Sequence, residues 1–243
     1  MYKNKKILAI IPARGGSKGL PNKNIKEMNE KPLIYWTIKR AQDSKLLDKI
    51  YVSTDSPHIA TICQNICNQC VEELRPDELA QDTSSSADVI KYTINLLQQK
   101  GEEYDYMLLL EPTSPLRKKD DIDRVIQLAC DNPERDGVIS LGEVHMEHPS
   151  AVKIIGKNGN IVPLLNSEKT IYQRQQMKQV YFPYGVAYLI KTEAFLNNMS
   201  VYTDNMIPYF IERWQAYEVD DIYDFMCIET IMKNREKKDD SSN

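Results

Sequence analysis

Five short apolar runs, at residues 6–12, 49–53, 105–110, 137–141 and 185–190, alternate with stretches of helical periodicity at 31–44, 58–69, 87–99, 120–130 and 221–233. Nothing else in the chain restricts its fold as strongly. Apolar runs this short, with little polar alternation, suit strands buried on both faces, and the helical stretches between them supply the crossovers that parallel strands need. The pattern predicts an α/β fold: a doubly wound, mostly parallel sheet of Rossmann-like type with helices on both faces. Asp120 and Asp121 open one helix with negative charge, where the macrodipole favours it. A chain of 243 residues is long enough for one such domain with a substantial core, placed here at residues 1–234.

Two segments depart from the alternation. Residues 144–184 contain Ala151-Val152-Lys153-Ile154-Ile155 and Ile161-Val162-Pro163-Leu164-Leu165 on either side of Lys157-Asn158-Gly159-Asn160, a β-hairpin signature. This stretch reads as a small excursion from the sheet, suited to a lid or a subunit contact. Residues 235–243 are charged and end in serines, which predicts a flexible tail.

The first apolar run leads directly into Pro12-Ala13-Arg14-Gly15-Gly16-Ser17-Lys18-Gly19-Leu20-Pro21-Asn22-Lys23-Asn24. In an open α/β sheet, ligands gather beyond the carboxyl ends of the strands, so this loop lies at the binding edge. Gly15, Gly16 and Gly19 are expected to allow positive φ and a close approach of backbone N–H groups to a ligand. Arg14, Lys18 and Lys23 offer charge to phosphate oxygens. The loop lacks the Gly-Lys-Ser/Thr ending of a Walker A sequence, and Pro21 with Asn22 and Asn24 delays the helix that a dinucleotide fingerprint would open at once, to about Lys31-Pro32. The plainer alternative is a solvated basic turn.

Composition narrows the choice. A net charge of -4 and a pI of about 5.5 argue against a general nucleic-acid binder, so the useful cations must be local. No run approaches the ~20 apolar residues of a membrane span, and the early one is too short for a signal peptide; the expected location is the cytoplasm, with no membrane partner. Among five cysteines, the spacing of Cys63, Cys67 and Cys70 puts neighbouring pairs on one helix face. With no fourth ligand nearby, they read as buried or half-exposed helix thiols and not as a zinc site. His58, His145 and His148 lack a Ser or Cys triad context.

Four further segments fall at strand ends. Ser53-Thr54-Asp55 reads as a helix N-cap. Residues 75–86 end as a capping region, and Arg75 beside this polar loop could meet a base edge or a ribose. Glu111-Pro112-Thr113-Ser114-Pro115-Leu116-Arg117 is stiffened by two prolines. In Tyr217-Glu218-Val219-Asp220-Asp221, an extended backbone would put Glu218 and Asp220 on one face about 7 Å apart. Two oxygen ligands at the rim of a phosphate site suit Mg²⁺; the alternative is an acidic helix start.

In this order, the segments resemble the CMP-sialic acid synthetases, or acylneuraminate cytidylyltransferases. The most specific match is Ala-Arg-x-x-Ser-Lys-Gly-x-x-x-Lys-Asn, met at Ala13 through Asn24. Val52-Ser53-Thr54-Asp55, Arg75-Pro76 with Leu79-Ala80 and Asp82-Thr83, and Pro112-Thr113-Ser114-Pro115-Leu116-Arg117 extend it, and the likeness spans Ile7 to about Ile231. The resemblance implies a nucleotide-diphospho-sugar transferase fold and an enzyme joining CTP to a nine-carbon 2-keto sugar acid, with pyrophosphate released. It implies Mg²⁺ or Mn²⁺ on Glu218 and Asp220, where many relatives have Asp at the first position, and a homodimer built through the hairpin. It assigns Ala13, Arg14, Gly15, Ser17, Lys18, Lys23 and Asn24 to the triphosphate, Arg75 and Ser85 to cytosine and ribose, and Arg14, Lys23 and Asp220 to catalysis.

On the sugar side it points to Arg174 and Gln175 for the acceptor, and more weakly to Lys153, reaching into a neighbouring subunit. Two departures lie there. Glu111 stands where many sialic acid enzymes have Gln, and Phe182-Pro183-Tyr184-Gly185 replaces Arg-Pro-Asn-Gly. Glu111 and Tyr184 are therefore expected to shape the choice of sugar, which raises legionaminic and pseudaminic acids as rivals to N-acetylneuraminic acid. Transfer to the eight-carbon acid KDO, and an inactive nucleotide-binding module, are the remaining alternatives.

Overall fold

The computed structural model describes residues 1–165 and 178–240. Strand β1 (Ile7–Pro12) shows why the early apolar run has no polar alternation. Ile7, Ala9 and Ile11 enter one core with Ile34 and Ile38 of α1 (Leu33–Asp43), Ile59 and Cys63 of α2 (Pro57–Ile66), and residues Ile122, Val125 and Ile126. Leu8 and Ile10 enter the opposite core with Ile90, Ile94 and Leu97 of α3 (Ser86–Gln99) and with Phe195. The side chains of residues 7–11 are thus removed from water, each Ile and Leu contributing roughly 1.5–3 kcal/mol of transfer free energy.

The central sheet has six strands. Besides β1 they are β4 (Lys49–Ser53), β5 (Tyr106–Leu109), β6 (Gly137–Glu143), β9 (Tyr181–Lys191) and β10 (Met206–Phe210), in the spatial order β10-β6-β9-β5-β1-β4. β1 runs parallel to β4 and β5, with Ile10 opposite Tyr51 and Leu109, and β6 runs parallel to β10. Only β9 is antiparallel to both its neighbours. The reason is topological. The chain leaves β6 at the carboxyl edge and returns from the excursion to that same edge, so β9 runs back against β6. The doubly wound, mostly parallel sheet read from the sequence is the fold observed. α4 (Asp121–Asp131) and α5 (Thr192–Asn198) complete the covering layers, and α6 (Ile222–Asp240) packs a third cluster of Leu20, Met28, Leu33 and Leu116.

The hairpin is present as a separate two-stranded sheet of β7 (Lys153–Ile155) and β8 (Ile161–Pro163). Several expected boundaries move. β9 begins at Tyr181, so Tyr181–Tyr184 belong to the central sheet and not to the excursion. β10 was hidden by Pro208, which an edge strand tolerates, and α5 is too short to show a period. Lys31 and Pro32 form β3, paired with β2 (Glu27–Met28), and α1 starts only at Leu33. α2 stops at Ile66, and Gln69 reverses the chain at φ 63°. Cys70 therefore lies beyond the helix, its thiol donating to the carbonyl of Cys63, and the three cysteines do not share one helix face. α6 continues through the segment expected to be a tail as far as Asp240.

Candidate functional site

The loop after β1 is held from beneath by Asp55. Its Oδ1 accepts from the backbone N–H of Gly15 at 3.0 Å and from Nη2 of Arg75 at 3.3 Å. Asp55 is thus a brace and not a cap; Ser56 caps α2, accepting from the N–H of Ile59. Asn24 donates to the carbonyl of Arg14 at 3.1 Å and closes the loop on itself. The Lys23 ammonium donates to the carbonyl of Val219 at 3.0 Å and stands 3.7 Å from Asp220 Oδ1. The expected positive φ at Gly15, Gly16 and Gly19 is not found; Asn22, at φ 56°, makes the left-handed turn. Gly19 is needed for closeness instead: a Cβ there would lie 2.6 Å from the backbone oxygen of Asp220. The cation loop and the acidic segment are in direct backbone contact.

Arg14 and Lys18 converge on one carboxylate. Arg14 Nη1 lies 2.9 Å from Asp82 Oδ1 and Lys18 Nζ 2.7 Å from Oδ2, and these two bonds hold the Asp82 carboxyl below its usual range. Arg75 is only 5% exposed, and burial pulls its guanidinium below its ordinary pKa. Its Nε has no hydrogen-bond partner among the described residues. It lines a cavity of about 320 Å³ with Arg14, Gln81, Asp82, Ser84 and Ser86. Ser85 is absent from that lining. Its hydroxyl caps α3, accepting from the N–H of Asp88 and donating to Asp88 Oδ2.

On its other flank Arg14 borders a cavity of about 220 Å³ with Ser17, Lys23, Asn24, Glu111 and Thr113. Glu111 stands at the end of β5, where Arg117 fixes its backbone. The fully buried Arg117 guanidinium uses all five of its N–H groups. Nε donates to Val186 O, Nη1 to Thr37 Oγ1 and Ser114 O, and Nη2 to Glu111 O and Gly185 O. Burial pushes the Glu111 carboxyl up to about 7, Glu218 adds to the rise, and Arg117 and Lys23 oppose it. Gly185 makes room for this side chain, since a Cβ there would meet Glu111 Oε2 at 2.4 Å.

Glu218 and Asp220 do not face the same surroundings. Glu218 Oε1 accepts from the Ser114 hydroxyl and the Gly185 N–H, whereas the Asp220 side chain is 96% exposed beside Lys23. The segment carrying them is not part of a strand. One oxygen of Glu218 and the Asp220 carboxylate are hard donors left over, which fits a cation completed by substrate oxygens and water. Among the described residues no group of three or more His, Cys, Asp or Glu could hold a metal alone.

Tyr184 packs its ring over Gly142 and edge-on to Phe182, 5.2 Å between centroids. Burial raises its hydroxyl pKa. Lys153 lies on the separate hairpin, which does not pair with the central sheet. Arg174 and Gln175 fall outside the described residues. Sequence reasoning missed the bracing roles of Asp55, Asp82, Ser114 and Arg117; all four lay inside recognised motifs but gave no sign of what they bind. A further cavity, of about 480 Å³, lies at the other end of the strands, around Lys49 and its partners Glu72 and Glu102. Its charges are already paired, and it takes no part in this site.

Comparison with known proteins gives the family and the fold. A family profile described as Cytidylyltransferase matches residues 8–235. An N-acylneuraminate cytidylyltransferase of Streptococcus agalactiae is 33% identical over 225 residues, covering 92% of this chain and 52% of that protein. The chain thus spans about half the length of that relative. A CMP-N,N'-diacetyllegionaminic acid synthase of Legionella pneumophila is 34% identical over 233 residues, covering 94% of this chain and 97% of that protein. The solved structure of a CMP:2-keto-3-deoxy-manno-octonic acid synthetase complexed with CTP superposes with a TM-score of 0.69 at 17% identity, over 95% of this chain and 99% of that one. The family match over nearly the whole sequence, on a sheet whose edge gathers Arg14 and Lys18 against Asp82 and Lys23 against Asp220, makes this chain a member of the cytidylyltransferase family.

Proposed function

We propose that the protein transfers the cytidylyl group of CTP to a nonulosonic acid, N-acetylneuraminic or legionaminic acid, releasing pyrophosphate. The observation that carries this reading is the position of Arg14 between two cavities, one walled by Arg75 and the other by Glu111. A nucleoside on the first side and an acceptor on the second would meet at the cations between them. The sugar hydroxyl would attack the α-phosphate in line, and positioning with charge stabilisation supplies most of the acceleration in phosphoryl chemistry. Arg14, Lys18 and Lys23 would take the charge of the departing pyrophosphate. Glu218 and Asp220 would hold Mg²⁺ or Mn²⁺, which when bound polarises the α-phosphate.

The exposed hairpin supports a homodimer, with Ile155 73% and Ile161 71% exposed on a two-stranded sheet that has no further partner strand among the described residues. Residues Arg174, Gln175 and Lys153 belong to the acceptor side in this reading. Among the described residues no helix is long and apolar enough to cross a membrane, and the proposed setting is the cytoplasm.

The test mixes the protein with CTP, Mg²⁺ and each of N-acetylneuraminic, legionaminic and pseudaminic acids and KDO, following pyrophosphate and the CMP-sugar. Turnover with neuraminic or legionaminic acid is expected. Turnover with KDO alone would overturn the acceptor class, and none with any acid would overturn the activity.

A further inference from the structure

A cavity of about 380 Å³ lies against residues 115–119, immediately after the turn that carries Glu111. Its walls include Trp36 and Arg40 of α1, Lys118 and Lys119, Trp214, and Arg235 of α6. Trp36 and Trp214 are the two tryptophans of the chain. Their N–H groups are already satisfied, Trp36 by the carbonyl of Met28 at 3.1 Å and Trp214 by Glu212 Oε2 at 2.6 Å. What remains for a ligand is their ring faces. One is demonstrably attractive to a planar cation: the Arg235 guanidinium sits 3.6 Å from the Trp214 centroid.

The charge is one-sided. No carboxylate lines the cavity. Glu212 pairs with Lys118 from outside the lining, and Asp43 lies 3.7 Å from Arg40. Lys119 makes no ion pair among the described residues and is exposed. Aromatic faces bind planar rings with little regard to their substituents, and a cluster of Lys and Arg binds phosphate. A cavity of this size is within the ordinary range for small-molecule sites. None of the ten lining residues belongs to the cation loop, and none lines the cavity of Arg75 or that of Glu111.

We propose that this cavity is a second ligand site, for a nucleoside monophosphate. The ring stacks on Trp214, taking the place of the Arg235 guanidinium, and the phosphate is held by Lys118, Lys119 and the released Arg235. The site is independent of the reaction proposed above.

Because both tryptophans line the cavity, intrinsic tryptophan emission reports on it directly. The full chain is titrated with CMP and AMP, with cytidine and ribose 5-phosphate as probes of ring and phosphate alone. Both nucleotides are expected to quench saturably, with midpoints on the order of 0.1–1 mM, and the two fragments at least roughly tenfold more weakly. The double variant Lys119→Ala with Arg235→Ala should weaken both nucleotides roughly tenfold or more, while Arg14→Ala leaves the titration unchanged. Three results would each overturn the proposal. One is no saturable quenching by either nucleotide up to about 10 mM. Another is quenching by ribose 5-phosphate equal to that by CMP. The last is quenching lost in Arg14→Ala but kept in the double variant, which puts the nucleotide in the cradle.

Discussion

Arg117 shows what a motif arginine can be for when no carboxylate pairs with it. Its five hydrogen bonds join the turn after β5, the hydroxyl of Thr37 and the backbone of β9, so its charge is dispersed over carbonyls and one hydroxyl. Lysine carries three N–H groups on one nitrogen and cannot reach the same set. Arg117→Lys is expected to lower stability by about 3 kcal/mol or more, read from urea unfolding, because at least two of the five buried hydrogen bonds are lost.

Glu111 gives a pH signature at the same scale. Its folded pKa of about 7 lies above the ordinary glutamate value, so the native state holds a proton that the unfolded chain has released. The sign follows: this contribution to stability is complete below about pH 4.5 and is lost as pH rises through 7. Glu111→Gln should flatten that decline, a difference on the order of 2 kcal/mol, measured by denaturation without divalent metal. Gly19→Ala, forced against the Asp220 carbonyl, should lower turnover roughly a hundredfold in the cytidylyl-transfer assay, because misplacement by about 1 Å is costly in positioned chemistry.

At the scale of elements, Ser85 separates two readings of one residue. As the cap of α3 its removal costs about 1 kcal/mol of stability and leaves the KM for CTP unchanged; as a ribose ligand it would raise that KM. The hydroxyl is engaged twice at the helix end, so Ser85→Ala is expected to follow the first pattern in parallel melting and kinetic measurements.

The elements also show which signals a sequence carries. The strands buried on both faces were legible because burial leaves an apolar run, and Arg14, Lys18 and Lys23 were legible because they share one loop. Asp55 and Asp82 were not. Their partners lie 40 and 68 residues away, and no local pattern records a contact made only by folding. β10 carries Pro208 mid-strand and α5 is shorter than two full turns, so each breaks the rule used to find its kind.

At the scale of the whole molecule, the sheet edge collects the candidate site while the hairpin stands apart from it. An aspartate at Ile155 should disfavour the proposed dimer without touching the core, and light scattering of Ile155→Asp is expected to give the monomer mass. A wild-type chain that is already monomeric would remove the dimer from the account.

β9 connects these two regions. Its eleven residues run from Tyr181, paired with Glu143 at the open end, through Gly185 against Glu111, to Lys191 beside Asp136 at the closed end. It pairs with β6 at Tyr181–Pro183 and with both β6 and β5 at Tyr188–Ile190, the register with β6 shifting between Ile139 and Leu141. A displacement of the Tyr181 end reaches Gly185 along this one strand, whereas the Arg75 side of the cleft is anchored to a different strand, β4, through Thr54. Load on the excursion should therefore bear on the Glu111 side of the cleft and spare the Arg75 side.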